Sequence, residues 1–148
     1  MADELIVKGT ALINAPALKV WDALTKPEWT RKYMYNCDTE SDWEAGSALL
    51  WRGHGDGNVY VKGKVLDIKP GAYLAYTVID PNGNIEDKES NYLTVTYALT
   101  PENGQTRVDV TQGDYAKVDN GAARYKDTSP EGWNGLLQQI KEMIEQDA

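Results

Sequence analysis

The clearest pattern of apolar and polar positions in the chain lies near its end, in residues 128–146. Apolar residues there recur with the period of an α-helix and project within an arc of roughly 120°. They are Trp133, Leu136, Leu137, Ile140, Met143 and Ile144. The preceding Thr128-Ser129-Pro130-Glu131 provides a capping box and a proline in the first turn. The pattern predicts one amphipathic helix of about 25 Å, which needs a broad apolar surface to pack on.

The beginning of the chain predicts one strand followed by short helices. Residues 5–13 are mostly apolar and suit a β-strand that ends at Asn14-Ala15-Pro16. Pro16 can begin a helix with Val20, Trp21 and Leu24 on one side. Pro27 ends that helix, because the residue before a proline avoids the helical conformation. A second proline-initiated helix is predicted over residues 27–33, with Trp29 and Tyr33 on one side.

Residues 43–113 show the pattern of an antiparallel meander. Short runs of Val, Tyr, Thr, Leu and Trp alternate with clusters of turn-forming residues. The turn clusters are His54-Gly55-Asp56-Gly57-Asn58, Lys69-Pro70-Gly71, Asp80-Pro81-Asn82-Gly83-Asn84 and Pro101-Glu102-Asn103-Gly104. These regularly spaced turn clusters predict successive β-hairpins. Residues 114–127 show neither a helical nor a strand period and are predicted to form a loop.

Alternation within the later strands separates an apolar face from a face that meets water. The apolar, inward positions are Leu74, Tyr76, Val78, Leu93, Val95, Tyr97, Leu99, Val108 and Val110. The outward positions are Ala75, Thr77, Thr94, Thr96, Ala98, Arg107, Asp109 and Thr111. A curved antiparallel sheet whose apolar face is covered by the C-terminal helix accommodates every segment, so we predict a single α+β domain over residues 1–148.

Composition and charge exclude several classes of function. The 148 residues contain no run of about 20 apolar residues, so no membrane insertion is expected. The acidic Met-Ala-Asp-Glu start lacks the features of a signal peptide and favours a cytoplasmic protein. A net charge of −8 disfavours binding to nucleic acids and anionic membranes. With a single cysteine and a single histidine, neither a disulfide framework nor a metal site is expected.

Short motifs distributed over nearly the whole chain carry a family resemblance. They are Ala15-Pro16, Val20-Trp21, Ala23-Leu24-Thr25, Pro27-Glu28, Gly46, Gly63, Val65, Pro70, Leu74, Gly132-Trp133 and Leu137. Through them the chain resembles the START-like, helix-grip (SRPBCC, birch-pollen-allergen-like) superfamily. Within it, the chain is most similar to the bacterial proteins named after the activator of a heat-shock chaperone ATPase (AHSA-like). The resemblance implies about seven strands wrapped round the C-terminal helix, with a cavity between helix and sheet.

The candidate site is this interior. Its predicted lining consists of Trp51, Tyr60, Tyr76, Val78, Val95, Tyr97, Trp133, Leu137 and Ile140. The aromatic residues either line a ligand cavity or fill the core, because aromatic residues at strand and helix periods are also typical of packed cores. Buried tyrosine hydroxyls need hydrogen-bond partners, which suggests water or a polar ligand group inside.

Other reactive side chains have simpler interpretations. His54 beside Asp56 offers an acid–base pair, but a glycine-flanked turn is usually a solvent-facing connection. Cys37 has no neighbour in sequence that would lower its pKa, which favours a structural thiol. The acidic loop, Glu86-Asp87-Lys88-Glu89, is either solvated surface or a docking site for a basic partner. We predict no catalytic residues and no cofactor, because no phosphate loop or catalytic triad is recognisable.

Two functions of different classes remain. The first, implied by the family resemblance, is non-enzymatic binding of a small apolar or amphipathic molecule between the helix and the sheet. The alternative is a co-chaperone-like module that binds a chaperone or another protein through its surface. An enzyme of the cyclase or hydrolase kind would need a buried acid or base, and the inward strand positions offer almost none.

Overall fold

The computed structural model of the protein describes residues 5–33, 36–79, 81, 86–88, 91–113, 115–118, 121, 125 and 133–146, without the side chains of Lys117 and Asn134. The predicted capping box at residues 128–131, most of the predicted turn at residues 80–84 and most of the predicted loop at residues 114–127 lie outside these residues.

The described residues form seven strands and three helices. In chain order they are β1 (Val7–Ile13), α1 (Ala17–Thr25), α2 (Pro27–Tyr33), β2 (Cys37–Ser41), β3 (Ala48–Gly53), β4 (Val59–Lys69), β5 (Tyr73–Val78), β6 (Leu93–Glu102), β7 (Gln105–Gly113) and α3 (Asn134–Gln146), with a 3₁₀ turn at Tyr115–Lys117. The strands form one antiparallel sheet in the order β1-β7-β6-β5-β4-β3-β2. The predicted α+β helix-grip fold, a seven-stranded curved sheet with a C-terminal helix, is confirmed.

Local sequence accounts for the boundaries of α1 and for the β6–β7 hairpin. Pro16 precedes α1 in an extended conformation, and Lys26 after it is extended as well, as expected for a residue before proline. In the hairpin, Asn103 and Gly104 have φ values of 51° and 83° between the paired residues Glu102 and Gln105. Positive φ at both central positions is the requirement of a type I′ turn, which asparagine and glycine meet at low cost.

The apolar pattern does not predict strand β2, because it places the start of the meander at Trp43; only the family resemblance, which implies about seven strands, makes room for it. Its sequence, Cys-Asp-Thr-Glu-Ser, has little of the apolar alternation of a strand. Side-chain hydrogen bonds tie it instead to the helices. The Thr30 hydroxyl donates to the Cys37 carbonyl at 3.1 Å, and the Thr39 hydroxyl donates to the Thr25 carbonyl at 2.8 Å. Tertiary contacts therefore define this edge strand.

The C-terminal helix packs its predicted apolar stripe against the sheet. Leu137, Ile140 and Ile144 are at most 1% exposed. Gly9 on β1 permits the close approach, because a Cβ at this position would lie only 2.7 Å from the Trp133 Cβ. At the other end, the Lys141 ammonium donates to the Leu12 carbonyl at 2.9 Å. The start of α3 therefore packs closely on β1, and a later turn of α3 is hydrogen-bonded to β1.

The predicted faces of the later strands are confirmed, with one exception. The inward residues of β6 and β7 are buried, while their outward residues are exposed or half-buried. Ala75 was expected to meet water but is only 5% exposed. It is paired with Asp67 on one side and Thr96 on the other, and its single methyl group is shorter than either of their side chains.

Candidate functional site

A row of four buried aromatic rings crosses the interior between the sheet and α3. Trp51 of β3 lies 5.2 Å from Tyr76 of β5, measured between ring centroids. Tyr76 lies 6.1 Å from Tyr97 of β6, and Tyr97 lies 5.6 Å from Trp133, which it meets edge-on. These separations are those of favourable aromatic pairs. The structure thus brings together four of the five aromatic residues that the sequence predicted for the site.

The fold positions this row through strand register and one side-chain bond. Tyr97 pairs with Leu74 across the β5–β6 ladder, so Tyr76 is its diagonal neighbour on the same inward face. Trp133 immediately precedes α3 and donates its indole N–H to the Gln112 Oε1 of β7 at 2.9 Å. The orientation of the indole is therefore fixed from the sheet.

Three buried tyrosine hydroxyls in this interior differ in their hydrogen bonding. The Tyr33 hydroxyl donates to the Ala23 carbonyl at 2.6 Å. The Tyr76 hydroxyl donates to the Tyr97 hydroxyl at 3.4 Å, which is long for an O–H···O bond. Within the described part of the chain, no group accepts the proton of the Tyr97 hydroxyl. Burial raises the pKa of all three phenols, so each remains a neutral donor at physiological pH.

The remaining predicted lining residues divide between the interior and the surface. Val95, Leu137 and Ile140 are buried, and Val78 is half-buried against the core. The prediction for Tyr60 is wrong, because its side chain is 42% exposed and its hydroxyl donates to Asp56. Tyr60 occupies an outward position of β4, where the half-buried neighbours Val59 and Val61 take the other face.

Two residues near the row were not predicted as part of the site. The spacing in α2 puts Tyr33 on the same side of the helix as Trp29, but it does not show that Tyr33 is buried or that its hydroxyl reaches the Ala23 carbonyl. Gln112 is a polar residue on an edge of the predicted core, and only the structure reveals its bond to Trp133.

His54 pairs with Asp38 rather than with its sequence neighbour Asp56. Its Nδ1 lies 2.8 Å from the Asp38 Oδ2, while the Arg31 Nε donates to the Asp38 Oδ1 at 2.8 Å. The hydrogen bond with His54, followed by the bond and charge of Arg31, lowers the pKa of Asp38. The His54 side chain is about half exposed, so this cluster is a surface ion-pair network.

The single cysteine also lacks the surroundings of a reactive group. Cys37 is buried, and burial raises the pKa of its thiol, with further contributions from Asp56 and Asp38. Across the residues of known placement, no three metal-ligating side chains form a group. None of the described helices is long and apolar enough to cross a membrane.

Comparisons with known proteins agree with this architecture. A family model described as Activator of Hsp90 ATPase homolog 1-like protein matches residues 14–145. No curated protein matches the chain. The solution structure of ChR145 from Cytophaga hutchinsonii is 32% identical in sequence, with a TM-score of 0.78 over 99% of this chain and 98% of that chain.

Two more distant structures share the fold. The Aha1 dimer from Colwellia psychrerythraea is 21% identical, with a TM-score of 0.68 over 95% of this chain and 96% of that chain. PFC0360w, an HSP90 activator from Plasmodium falciparum, is 15% identical, with a TM-score of 0.67 over the same shares of the two chains. At these identities the likeness concerns the fold alone.

Proposed function

Since the chain belongs to the family of Activator of Hsp90 ATPase homolog 1-like proteins, within the helix-grip superfamily, we propose that it binds a small amphipathic molecule without transforming it. The molecule would occupy the interior between α3 and the sheet, beside the aromatic row. The observation that carries this proposal is the pair of buried hydroxyls on Tyr76 and Tyr97, which are only weakly bonded to each other.

The Tyr97 hydroxyl, whose proton has no acceptor among the described residues, determines part of the ligand's chemistry. A buried hydroxyl without an acceptor costs about 1–3 kcal/mol, and a ligand oxygen that accepts its proton removes this cost. The rings of Trp51, Tyr76, Tyr97 and Trp133 provide apolar contact area around the hydroxyls. A ligand with an apolar body and one carbonyl, ether or hydroxyl oxygen complements both features.

The buried polar groups support binding rather than catalysis. Among the described residues, the buried polar side chains other than those of the aromatic residues are Thr25, Thr30, Thr39, Asn91 and Thr106, and none of them carries a charge. The tyrosines are held neutral by burial, so they donate hydrogen bonds but do not act as bases near neutral pH. Hydrogen-bond recognition is the chemistry that these groups can perform.

Native mass spectrometry of protein purified from its own host tests the proposal directly. We expect a retained small molecule that is released when the protein unfolds. As a defined probe we would use prodan, a fluorescent naphthalene ketone, whose carbonyl accepts a hydrogen bond and whose emission shifts to the blue in apolar surroundings. Absence of both a retained molecule and prodan binding would contradict the proposal.

A pair of tyrosine variants locates the binding site. Tyr97→Phe removes the interior hydroxyl whose proton has no acceptor among the described residues, and one hydrogen bond of about 0.5–1.5 kcal/mol corresponds to roughly two- to tenfold weaker prodan binding. Tyr60→Phe makes the same chemical change on the outer face and should leave the affinity unaltered. Equal effects of the two substitutions would exclude the interior site.

A second candidate function is a co-chaperone-like interaction through the surface. It is supported by the family description and by the fold shared with PFC0360w, an HSP90 activator. The test is the ATPase rate of the heat-shock chaperone from the same host, with and without this protein. Stimulation that survives Tyr97→Phe would assign the activity to the surface, whereas an unchanged ATPase rate would exclude this function.

A further inference from the structure

A groove of about 560 Å³ lies on the outer face of the sheet, on the side opposite the aromatic row. We call it the outer groove. It is formed by outward positions of β4, β5 and β6 together with the segment that precedes β6. The residues that matter for its chemistry are Lys64, Leu66, Thr77, Asp87, Lys88 and Thr94.

Gly63 and the hydrogen-bonded Asp87 lie on two sides of the outer groove. Gly63 provides part of its wall without a side chain, and a Cβ there would lie only 1.6 Å from the Thr77 carbonyl oxygen. On the other side, Asp87 accepts hydrogen bonds from the Lys62 ammonium and, at 2.6 Å, from the Tyr92 hydroxyl. The Lys62 bond ties Asp87 to β4, and the Tyr92 bond ties it to the residue just before β6.

The internal pairing leaves the groove with an excess of positive charge. Both oxygens of Asp87 are occupied, and the bonds from Lys62 and then Tyr92 lower the pKa of its carboxyl, so its charge is compensated. Among the described residues, Lys88 forms an ion pair with Glu86 at 3.5 Å, and both side chains are exposed. Among the residues whose positions are described, no carboxylate lies within ion-pair distance of the Lys64 ammonium. Within the described residues, the lining therefore has two lysines against one carboxylate: Lys64 makes no ion pair, and Lys88 can exchange its weak, exposed pair with Glu86 for another carboxylate.

Hydroxyl donors and an apolar side chain complete the surface. The Thr77 Oγ1 accepts the Lys64 backbone N–H at 3.1 Å, which leaves its proton free to donate. Thr94 contributes a second hydroxyl, and Leu66, which is 41% exposed, gives an apolar contact. This combination of cations, hydroxyls and one apolar side chain complements carboxylates carried on short methylene chains.

We infer that the outer groove docks an acidic peptide segment. The charged side chains that line it are exposed, whereas a site for a small ion or metabolite encloses most of its ligand. An extended segment instead gains affinity from several weak contacts along an open groove. The inference concerns the opposite face from the proposed interior site, so either can fail without affecting the other.

Fluorescence anisotropy with fluorescein-labelled hexaglutamate tests this inference, with hexaglutamine as the uncharged control peptide. We expect binding of hexaglutamate only, weaker at about 300 mM than at about 10 mM salt, because exposed charges are screened by salt. Lys64→Gln with Lys88→Gln should weaken binding about tenfold through the loss of two exposed charge contacts.

A matched double variant separates docking from non-specific attraction. Lys8→Gln with Lys69→Gln changes the net charge equally at exposed lysines outside the groove and should have little effect. Equal losses in both double variants, or no hexaglutamate binding at low salt, would overturn the inference. Complete competition by millimolar glutarate would also overturn it, because the groove would then bind free carboxylates rather than a peptide.

Discussion

The close contact between β1 and the start of α3 gives the sharpest prediction about the fold. In Gly9→Ala, the new Cβ would lie 2.7 Å from the Trp133 Cβ and 3.2 Å from the Leu137 Cδ1. Unbonded carbon atoms normally lie about 3.5–4.0 Å apart. The nearest obstacle is the root of a side chain rather than its flexible end, so the start of α3 must move by roughly an ångström.

The expected cost follows from two opposing effects. Overpacking a filled interface typically costs about 1–3 kcal/mol. Alanine in place of glycine in a strand recovers about 0.5–1 kcal/mol, because it restricts the unfolded chain. The balance is a loss of between about 0 and 2.5 kcal/mol, and its central value of about 1.3 kcal/mol lowers the Tm of a chain of 148 residues by roughly 3–5 °C. Displacing Trp133 should also change the near-ultraviolet circular dichroism of the aromatic row.

Urea unfolding of Gly9→Ala and Gly135→Ala, measured side by side, provides the assay. Gly135 lies on the exposed side of α3, and an alanine methyl there would meet no atom of a neighbouring element within 4 Å, so its replacement should stabilise the protein by about 0.5–1 kcal/mol. The two substitutions are chemically identical, and only their surroundings differ. A Gly9→Ala variant as stable as the parent, with an unchanged aromatic spectrum, would refute the proposed packing of α3.

Three further predictions concern the core and the titratable groups. Leu137→Asp places a carboxylate where the side chain is 1% exposed and should cost more than about 3 kcal/mol; a Tm within about two degrees of the parent would contradict this. Asp38 has a lowered pKa in the folded state, so its stabilising effect is present above its unfolded pKa and is lost as the pH falls through the folded value. Asp38→Asn should therefore flatten the decline in stability below about pH 4, and an unchanged acid profile would count against this role. The buried phenols have raised pKa values, so their contribution is complete below about pH 10 and is lost at higher pH. Absorbance at alkaline pH should show the ionisation of Tyr76 and Tyr97 together with unfolding, and their titration in the folded protein would contradict their burial.

The fold could be predicted wherever apolar periodicity and turn chemistry agreed. Residues 93–99 and the Asn103-Gly104 turn each specify their conformation locally, and the structure follows them. Strand β2 carried no such signal, because its position depends on Thr30 and Thr39, which form hydrogen bonds between elements far apart in sequence. A periodicity argument cannot detect pairing that is created by tertiary contacts.

Prediction of the site was limited by side-chain direction. Strand alternation combined with one helix predicts that Trp51, Tyr76, Tyr97 and Trp133 face one interior, and the structure brings their rings together there; whether they line a ligand cavity stays a prediction. Tyr60 was misplaced because β4 has weak alternation, with polar residues on both sides and a register shift between Val65 and Asp67. His54 was linked with Asp56 by proximity in sequence, although pairing of β2 with β3 brings Asp38 to it.

The bond between Lys141 and the Leu12 carbonyl has a consequence for solubility. β1 is an edge strand of the sheet, and an edge strand can recruit a strand from another molecule through its free backbone groups. At Leu12, the Lys141 ammonium already occupies the carbonyl oxygen at 2.9 Å. An incoming strand would have to displace this ammonium, which Glu145 also holds in place through an ion pair at 2.6 Å. The last turns of α3 therefore discourage edge-to-edge aggregation at a point where Leu12 exposes an apolar side chain.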